Sequence, residues 1–299
     1  MSSCDGPCMN QTMDRLKDFA LDRSTGILTR TAIPRVDIFN VPEPTELFPE
    51  IYQPLVSLIL QGRKRLSIGN EVLEYGPGDT FIASVALPVV GEVAQASPSE
   101  PYLALSLTFD SAAVADLLKH ADAQPEMGDT RTFNVYQASE DLLDTWTRLL
   151  HLADRPHEVS VMAPMLEREI LFRLLLGPQG AILRQVASVD SRFSRIRTAQ
   201  IWIRENYGAP FRVDDLARIA GMSVSAFHRA FKASIGLSPL KYQKHIRLYE
   251  SRRMLFASPG NVGAVALAVG YQSLSQFTRE YTRMFGTPPA RDVKSFRQN

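Results

Sequence analysis

The sequence predicts an α+β chain in two parts: a β-barrel with flanking helices, then an all-α part with two helix-turn-helix units. Three observations predict it. Short apolar runs cut by turn residues fill Arg35 to about Phe109. From Ser111 onward the apolar spacing turns helical. Near the C-terminus one block of sequence, 213–243, recurs at 262–292.

The chain has 299 residues, more than one typical domain of about 100–200 residues holds. Hydrophobic residues make up 45%, enough for ordinary cores. The longest apolar runs, such as VSLIL at 56–60, fall well short of the ~20 residues a bilayer span needs. The opening MSSCDGPCMNQTMDRLKD has no apolar h-region, so neither a secretory signal nor a membrane partner is expected, and the expected compartment is the cytoplasm. Cys4 and Cys8 read as free thiols on a loose tail. Nothing supplies the other half of a zinc site, and a bridge across so short a loop stabilises little. The net charge of +1 hides a split. From Arg192 to the end there are 18 Lys+Arg and 6 Asp+Glu, a balance of +12; the remainder holds 15 and 26, a balance of −11. A basic half of this kind expects a polyanion.

Residues 1–34 read as a weakly ordered lead-in with one amphipathic stretch at Met13–Leu21. Residues 35–189 form the next part. VSLILQG, RKRLSIGN, EVLEYGPGD, TFIASVAL and YLALSLTFD are strand-like, with turns at Gly69-Asn70 and Gly76-Pro77-Gly78-Asp79. Many short strands at close spacing suggest a barrel or jelly roll. From Ser111 to about Val189 the pattern is helical. Leu142, Leu143, Trp146, Leu149, Leu150 and Ala153 share one face, as do Met165, Leu166, Glu169, Ile170, Arg173 and Leu174. These two helices either cover the barrel or offer a homodimer face. Residues 193–299 read as helices only, beginning with Ile196, Ala199, Trp202 and Ile203 and a stop near Tyr207-Gly208-Ala209-Pro210.

In the repeat, an offset of 50 sets Phe227 on Phe277, Arg229 on Arg279, Phe231 on Tyr281, Gly236 on Gly286 and Pro239 on Pro289. Before the turn the offset is 49, setting Ala217 on Ala266 and Gly221 on Gly270. Each copy holds the parts of a helix-turn-helix. The alanines let two helices cross closely, and the glycines sit where a positive φ is cheapest. Ser223, and Ser273 or Ser275, are N-cap candidates. Phe227 and Phe231, then Phe277 and Tyr281, face inward at i, i+4. Between the copies, Ser238-Pro239 opens a helix running to about Phe256, with Tyr242, Ile246, Tyr249 and Leu255 on its buried side. That rod of ~28 Å can hold two reading helices roughly one DNA turn, ~34 Å, apart.

SxSxFxRxFKxxxGxSPxxYxxxxRL from Ser223, followed by GYxSxSxFxRxYxxxFGxxP from Gly270, resembles the AraC family of transcription regulators over about 100 residues. The stretch IYQPLVSLILQGRKRLSIGNEVLEYGPGDTFIASVALPVVGEV resembles the cupin-like N-terminal domain of one AraC subgroup. The resemblance implies a two-domain, often dimeric regulator, frequently an activator, with a cupin-like barrel open to a small-molecule effector. Tyr281-Thr282 stands where the family usually has Phe-Lys, which implies a weaker phosphate contact there and no change of fold.

The residues expected to meet double-stranded DNA are Ser225, His228, Arg229 and Lys232 in the first copy. In the second they are Ser275, Gln276, Thr278, Arg279 and Arg283. The two equivalent arginines reach base edges, as guanine O6 and N7 suit a guanidinium, or else hold phosphates or brace the helix through local ion pairs. Lys232, Lys241, Lys244, Arg247, Arg252, Arg253, Arg283 and Arg291 divide between phosphate contacts and solvated surface. Arg252 and Arg253 have a further alternative, contact with RNA polymerase. No enzyme, metal or cofactor is expected. None of the five histidines (His120, His151, His157, His228, His245) lies in 35–109, and Glu71, Glu74, Asp79 and Glu92 alone make a poor transition-metal site. Gln61, Arg63, Lys64 and Tyr75 are polar candidates for a ligand or for plain surface. Two rivals share these residues: a cupin-type enzyme tethered to DNA, and an architectural DNA binder without effector.

Overall fold

The computed structural model describes residues 7–109, 111–120, 132–187, 192–257 and 261–296. Helix α1 (Pro7–Arg23) leads into β1 (Leu28–Arg30), β2 (Val36–Val41), β3 (Phe48–Tyr52), β4 (Leu55–Gln61) and β5 (Arg63–Ile68). Then come β6 (Glu71–Tyr75), β7 (Asp79–Ala83), β8 (Leu87–Gln95) and β9 (Tyr102–Thr108), and after helix α2 (Ser111–His120) the strand β10 (Phe133–Gln137). They build two antiparallel sheets, one ordered β1-β2-β9-β4-β7-β10 and one ordered β3-β8-β5-β6.

The sheets face each other. Tyr52 and Tyr75 of the smaller sheet meet Phe81 of the larger at 5.9 and 5.8 Å between ring centroids. β9 is buried along nearly all its length, because α1 covers its outer side while the second sheet covers the inner. The Gly-Pro-Gly-Asp turn closes locally: the Gly76 N–H donates to Asp79 Oδ2 at 2.9 Å.

Two segments differ from expectation. The described part of the lead-in carries regular structure: α1 buries Leu16 and Ala20 against α3 (Glu140–Leu150), and β1 pairs with β2. The amphipathic stretch Met13–Leu21 lies within α1, and the three residues of β1 are too few to show a strand period. Within the stretch read as helical, β10 adds to the edge of β7, Phe133 opposite Ala83 through Gln137 opposite Asp79. Five residues are too few to show a strand period. Cys4 lies outside the described residues, as does the side chain of Cys8.

α3 runs antiparallel to α4 (Pro156–Leu176), joined by Arg148–Glu169 at 2.7 Å and Arg173–Asp141 at 2.8 Å. Trp146, Leu149, Ile170 and Leu174 lie buried between them and their neighbours. Met165 is not inward as its spacing suggests. With Val161, Phe172 and Leu176 it forms an exposed apolar stripe along α4. α5 (Gly180–Ala187) follows.

The C-terminal part comprises α6 (Arg192–Glu205), α7 (Val213–Ile219), α8 (Val224–Ile235), α9 (Pro239–Ala257), α10 (Val262–Ala268), α11 (Leu274–Phe285) and α12 (Pro289–Phe296). One hydrophobic core runs from Leu16 through both sheets and on to Ile246 of α9. A second, separate core holds Leu248, Leu255, Val265, Ala266, Val269, Tyr271, Phe277 and Tyr281. The boundary between the two cores therefore falls inside α9. No helix among the described residues is long and apolar enough to cross a membrane.

Candidate nucleic-acid interface

The two repeat copies fold alike because the same residues do the same local work. In each, a buried alanine (Ala217, Ala266) seats the crossing of the first helix on the second. The turn closes with an identical backbone bond, Met222 N–H to Ala217 O and Tyr271 N–H to Ala266 O, both 2.9 Å. Gly221 and Gly270 carry φ of +60° and +91°, a region closed to most side chains. At Gly270 the constraint is double, because a Cβ would stand 2.1 Å from the Gly208 carbonyl oxygen. Ser273, rather than Ser275, caps α11, accepting from the Gln276 N–H at 3.3 Å. Ser223 occupies the cap position of α8 without a side-chain bond.

Inward, Phe227 and Phe231 sit 5.5 Å apart, and Phe277 and Tyr281 also 5.5 Å apart, all four fully buried. The unusual Tyr281 finds its own partner: its hydroxyl donates to Asp292 Oδ2 at 2.7 Å. In the first copy the equivalent place holds Tyr242, whose ring meets Phe231 edge-on at 5.7 Å. A phenol–carboxylate bond thus replaces an aromatic pair.

Outward, Ser225, His228, Arg229 and Lys232 on α8 are exposed, and so are Ser275, Gln276, Arg279 and Arg283 on α11; Thr278 is half-buried. Each second helix presents an open, shallow face. On α8 it is lined by Val224, Ser225, His228 and Arg229, with Val213. On α11 it is lined by Leu274, Ser275, Thr278, Arg279, Thr282 and Arg283. Val224 and Leu274, Ser225 and Ser275, His228 and Thr278, Arg229 and Arg279 stand at corresponding positions. Val224, Leu274 and Thr282 were not among the expected residues. The signal for the first two is an apolar residue directly after the N-cap, off the inward i, i+4 stripe.

Gln276 stands apart from the rest. It lines a crevice with Lys244, Arg247, Tyr271 and Glu280, and its amide approaches Glu280 Oε1 at 3.4 Å. Burial works against the charge on Glu280. Hydrogen bonds from Lys244, Tyr271 and Gln276 outweigh it and hold the carboxyl below the usual range.

Several of the cations expected on phosphates or on solvated surface have partners within the chain. Lys244 pairs with Glu280 at 3.0 Å. Arg247 donates to the carbonyls of Tyr207, Gly208, Ala209 and Gly270, tying the end of α6 to the second turn. Arg252 pairs with Asp292 at 2.9 Å and lies 4.7 Å over the Phe285 ring. Arg253 holds Glu250. Arg229, Lys232, Lys241, Arg279, Arg283 and Arg291 make no ion pair among the described residues.

In the barrel, Lys64 reaches inward, donating to Tyr52 Oη and lying 6.0 Å from the Tyr102 ring. Tyr75 is buried and stacks on Phe81, Gln61 donates to Pro101 O, and Arg63 stays on the surface. Burial raises Glu50 above the ordinary carboxylate value, and Lys64 partly offsets it.

Two corresponding helix-turn-helix units, joined by one long helix in the cationic part of the chain, define a two-headed DNA-binding regulator. The chain belongs to the AraC-type transcriptional regulators: that family's N-terminus matches residues 32–182, and a helix-turn-helix domain matches 216–295. The chain is 28% identical to the HTH-type transcriptional regulator ExsA of Pseudomonas aeruginosa over 45% of this chain and 49% of ExsA. It is 22% identical to the Msm operon regulatory protein of Streptococcus mutans over 82% and 85%. It is 26% identical to the virulence regulon transcriptional activator VirF of Yersinia enterocolitica over 53% and 57%. The chain thus spans about half the length of two of these three relatives. In fold it is similar to ToxT of Vibrio cholerae, with a TM-score of 0.58 and 10% identity over 87% of this chain and 97% of that one.

Proposed function

We propose that the chain is a sequence-specific transcription activator that places α8 and α11 in successive major grooves of double-stranded DNA. The pair of corresponding open faces carries this reading. Ser225, His228, Arg229, Ser275, Thr278 and Arg279 face bases, while Lys232 and Arg283 hold phosphates. Val224 and Leu274 suit thymine methyl groups. Gln276 joins the second face from the flanking crevice. The working division is a regulatory part of 35–189, with the lead-in 1–34 attached to it, and a reading part of 193–299. DNA and RNA polymerase as partners place it in the cytoplasm.

The regulatory part takes a small-molecule effector. Lys64, ringed by Tyr52 and Tyr102, offers a cation to an acid group. ToxT has been seen bound to a methylnaphthalenyl butenoic acid. A carboxylic acid that raises the melting temperature of the wild type but not of Lys64→Met supports this. The exposed stripe of Val161, Met165, Phe172 and Leu176 serves a homodimer; Met165→Glu then shifts sedimentation toward the monomer. The chain works as a regulator, not as a catalyst. Stoichiometric iron, zinc or manganese in the purified protein would favour the rival enzyme reading.

The decisive test is the pair His228→Ala with Arg229→Ala in one chain. Binding to a selected site is lost while the helical circular-dichroism signal is kept. Retained affinity would show that α8 does not read DNA.

A further inference from the structure

The two reading units are not held in the same way. The first shares its core with the barrel. The C-cap of α8 rests on the β5–β6 turn so tightly that a Cβ on Gly69 would lie 2.4 Å from the Gly236 carbonyl oxygen. Buried Thr132, beside β10, donates to Ser234 O at the end of α8. Gln200 of α6 donates to both the Ala86 carbonyl and the Tyr242 hydroxyl. Barrel and first unit are one body.

The second unit has its own core. It is joined to that body along α9, at the end of α6, where Arg247 ties the Tyr207–Ala209 carbonyls to Gly270, and on the barrel side, where strand β3 approaches both α9 and α11. Phe48 there lies 5.6 Å from the Arg252 guanidinium. On its other side the same guanidinium lies over Phe285, the last residue of α11, and it grips Asp292 of α12. The Tyr249 hydroxyl bonds Val89 O at 3.1 Å while its ring meets Phe285 edge-on at 5.9 Å. These described contacts bring the barrel against the second unit beside the end of α11 and the start of α12.

We propose that Phe48 is a positioning residue for DNA reading: through Arg252 and Phe285 it sets where α11 stands relative to α8, and so the half-site spacing the chain accepts. A single helix bends with little resistance, whereas a side prop fixes the angle at which the second body leaves α9. Phe48 is half exposed, so its ring contributes little to either core. Its place at the joint gives that ring a use. This rests on the two-headed reading above and adds to it a regulatory-domain residue that tunes the operator without touching it.

The test uses the full chain and a pool of duplexes carrying both half-sites with spacers of varied length. The wild type enriches one spacing. Phe48→Ala enriches that spacing and its neighbours, its discrimination against a one-base-pair change falling by about fivefold, with an unchanged melting temperature. Phe48→Tyr, which keeps the ring, restores the single spacing. If Phe48→Ala melts early, Phe48→Leu makes the same comparison with the bulk retained. A Phe48→Ala chain that discriminates as the wild type does overturns the proposal and leaves the two-headed reading intact. A wild type that enriches no two-part site overturns both.

Discussion

Arg229 and Arg279 occupy one place in two helices, and neither is held by a carboxylate among the described residues. A free guanidinium on an open helix face is available to a guanine edge. Arg279→Ala should cost about 1–3 kcal/mol of binding and relax the choice at one base pair. Lys232→Ala should weaken all sequences alike and lower the slope of log K against log salt by about 1. Titrations on matched and mismatched duplexes separate the two roles. His245, mid-way along α9, makes a different prediction. Burial pushes its imidazole down to about 4, and Lys244 and Lys241 push the same way. The unfolded chain then binds more protons between about pH 4 and 6.5, so stability is full above that window and is lost as pH falls through it. Urea unfolding should show a loss of about 2 kcal/mol from pH 7 to pH 5 that His245→Gln removes. The exposed polar residues of both faces were legible in the sequence because the inward Phe positions fix the helix phase. The captive roles of Arg247 and Arg252 were not. Their partners are carbonyls, rings and one aspartate brought in from other helices, and no local spacing records those.

At the scale of elements, the repeat left the clearest trace. Its glycines, its crossing alanines and its Ser-Pro rod start are each demanded by one local geometry, so they stand out without a partner in view. Gly270→Ala should therefore destabilise the second unit by more than about 1 kcal/mol, since it adds a clash to a disfavoured φ. Tyr281→Phe should cost about 1–3 kcal/mol, because the buried Asp292 loses a donor. Chemical denaturation measures both. The strands of the barrel were readable where runs of Val, Ile and Leu lie between turns. β1 and β10 escaped because three or five residues at a sheet edge carry no period, whereas the amphipathic stretch Met13–Leu21 lies within α1, where Leu16 and Ala20 are buried.

At the scale of the molecule, the charge split between the halves separates the polyanion-facing part from the rest. What it does not reveal is that the hydrophobic core crosses that line and stops inside α9. Sequence periodicity describes faces, and which faces meet is decided only by the whole fold. Because binding is charge-driven, affinity should fall steeply between 50 and 200 mM salt, by about a thousandfold or more for six phosphate contacts. The central claim is that two heads on one chain read two separate sites. Base-contact mapping on a selected duplex tests it most directly. It should show two clusters about one DNA turn, ~34 Å, apart, one lost with Arg229→Ala and the other with Arg279→Ala. A single cluster, or the same bases lost in both variants, would contradict it.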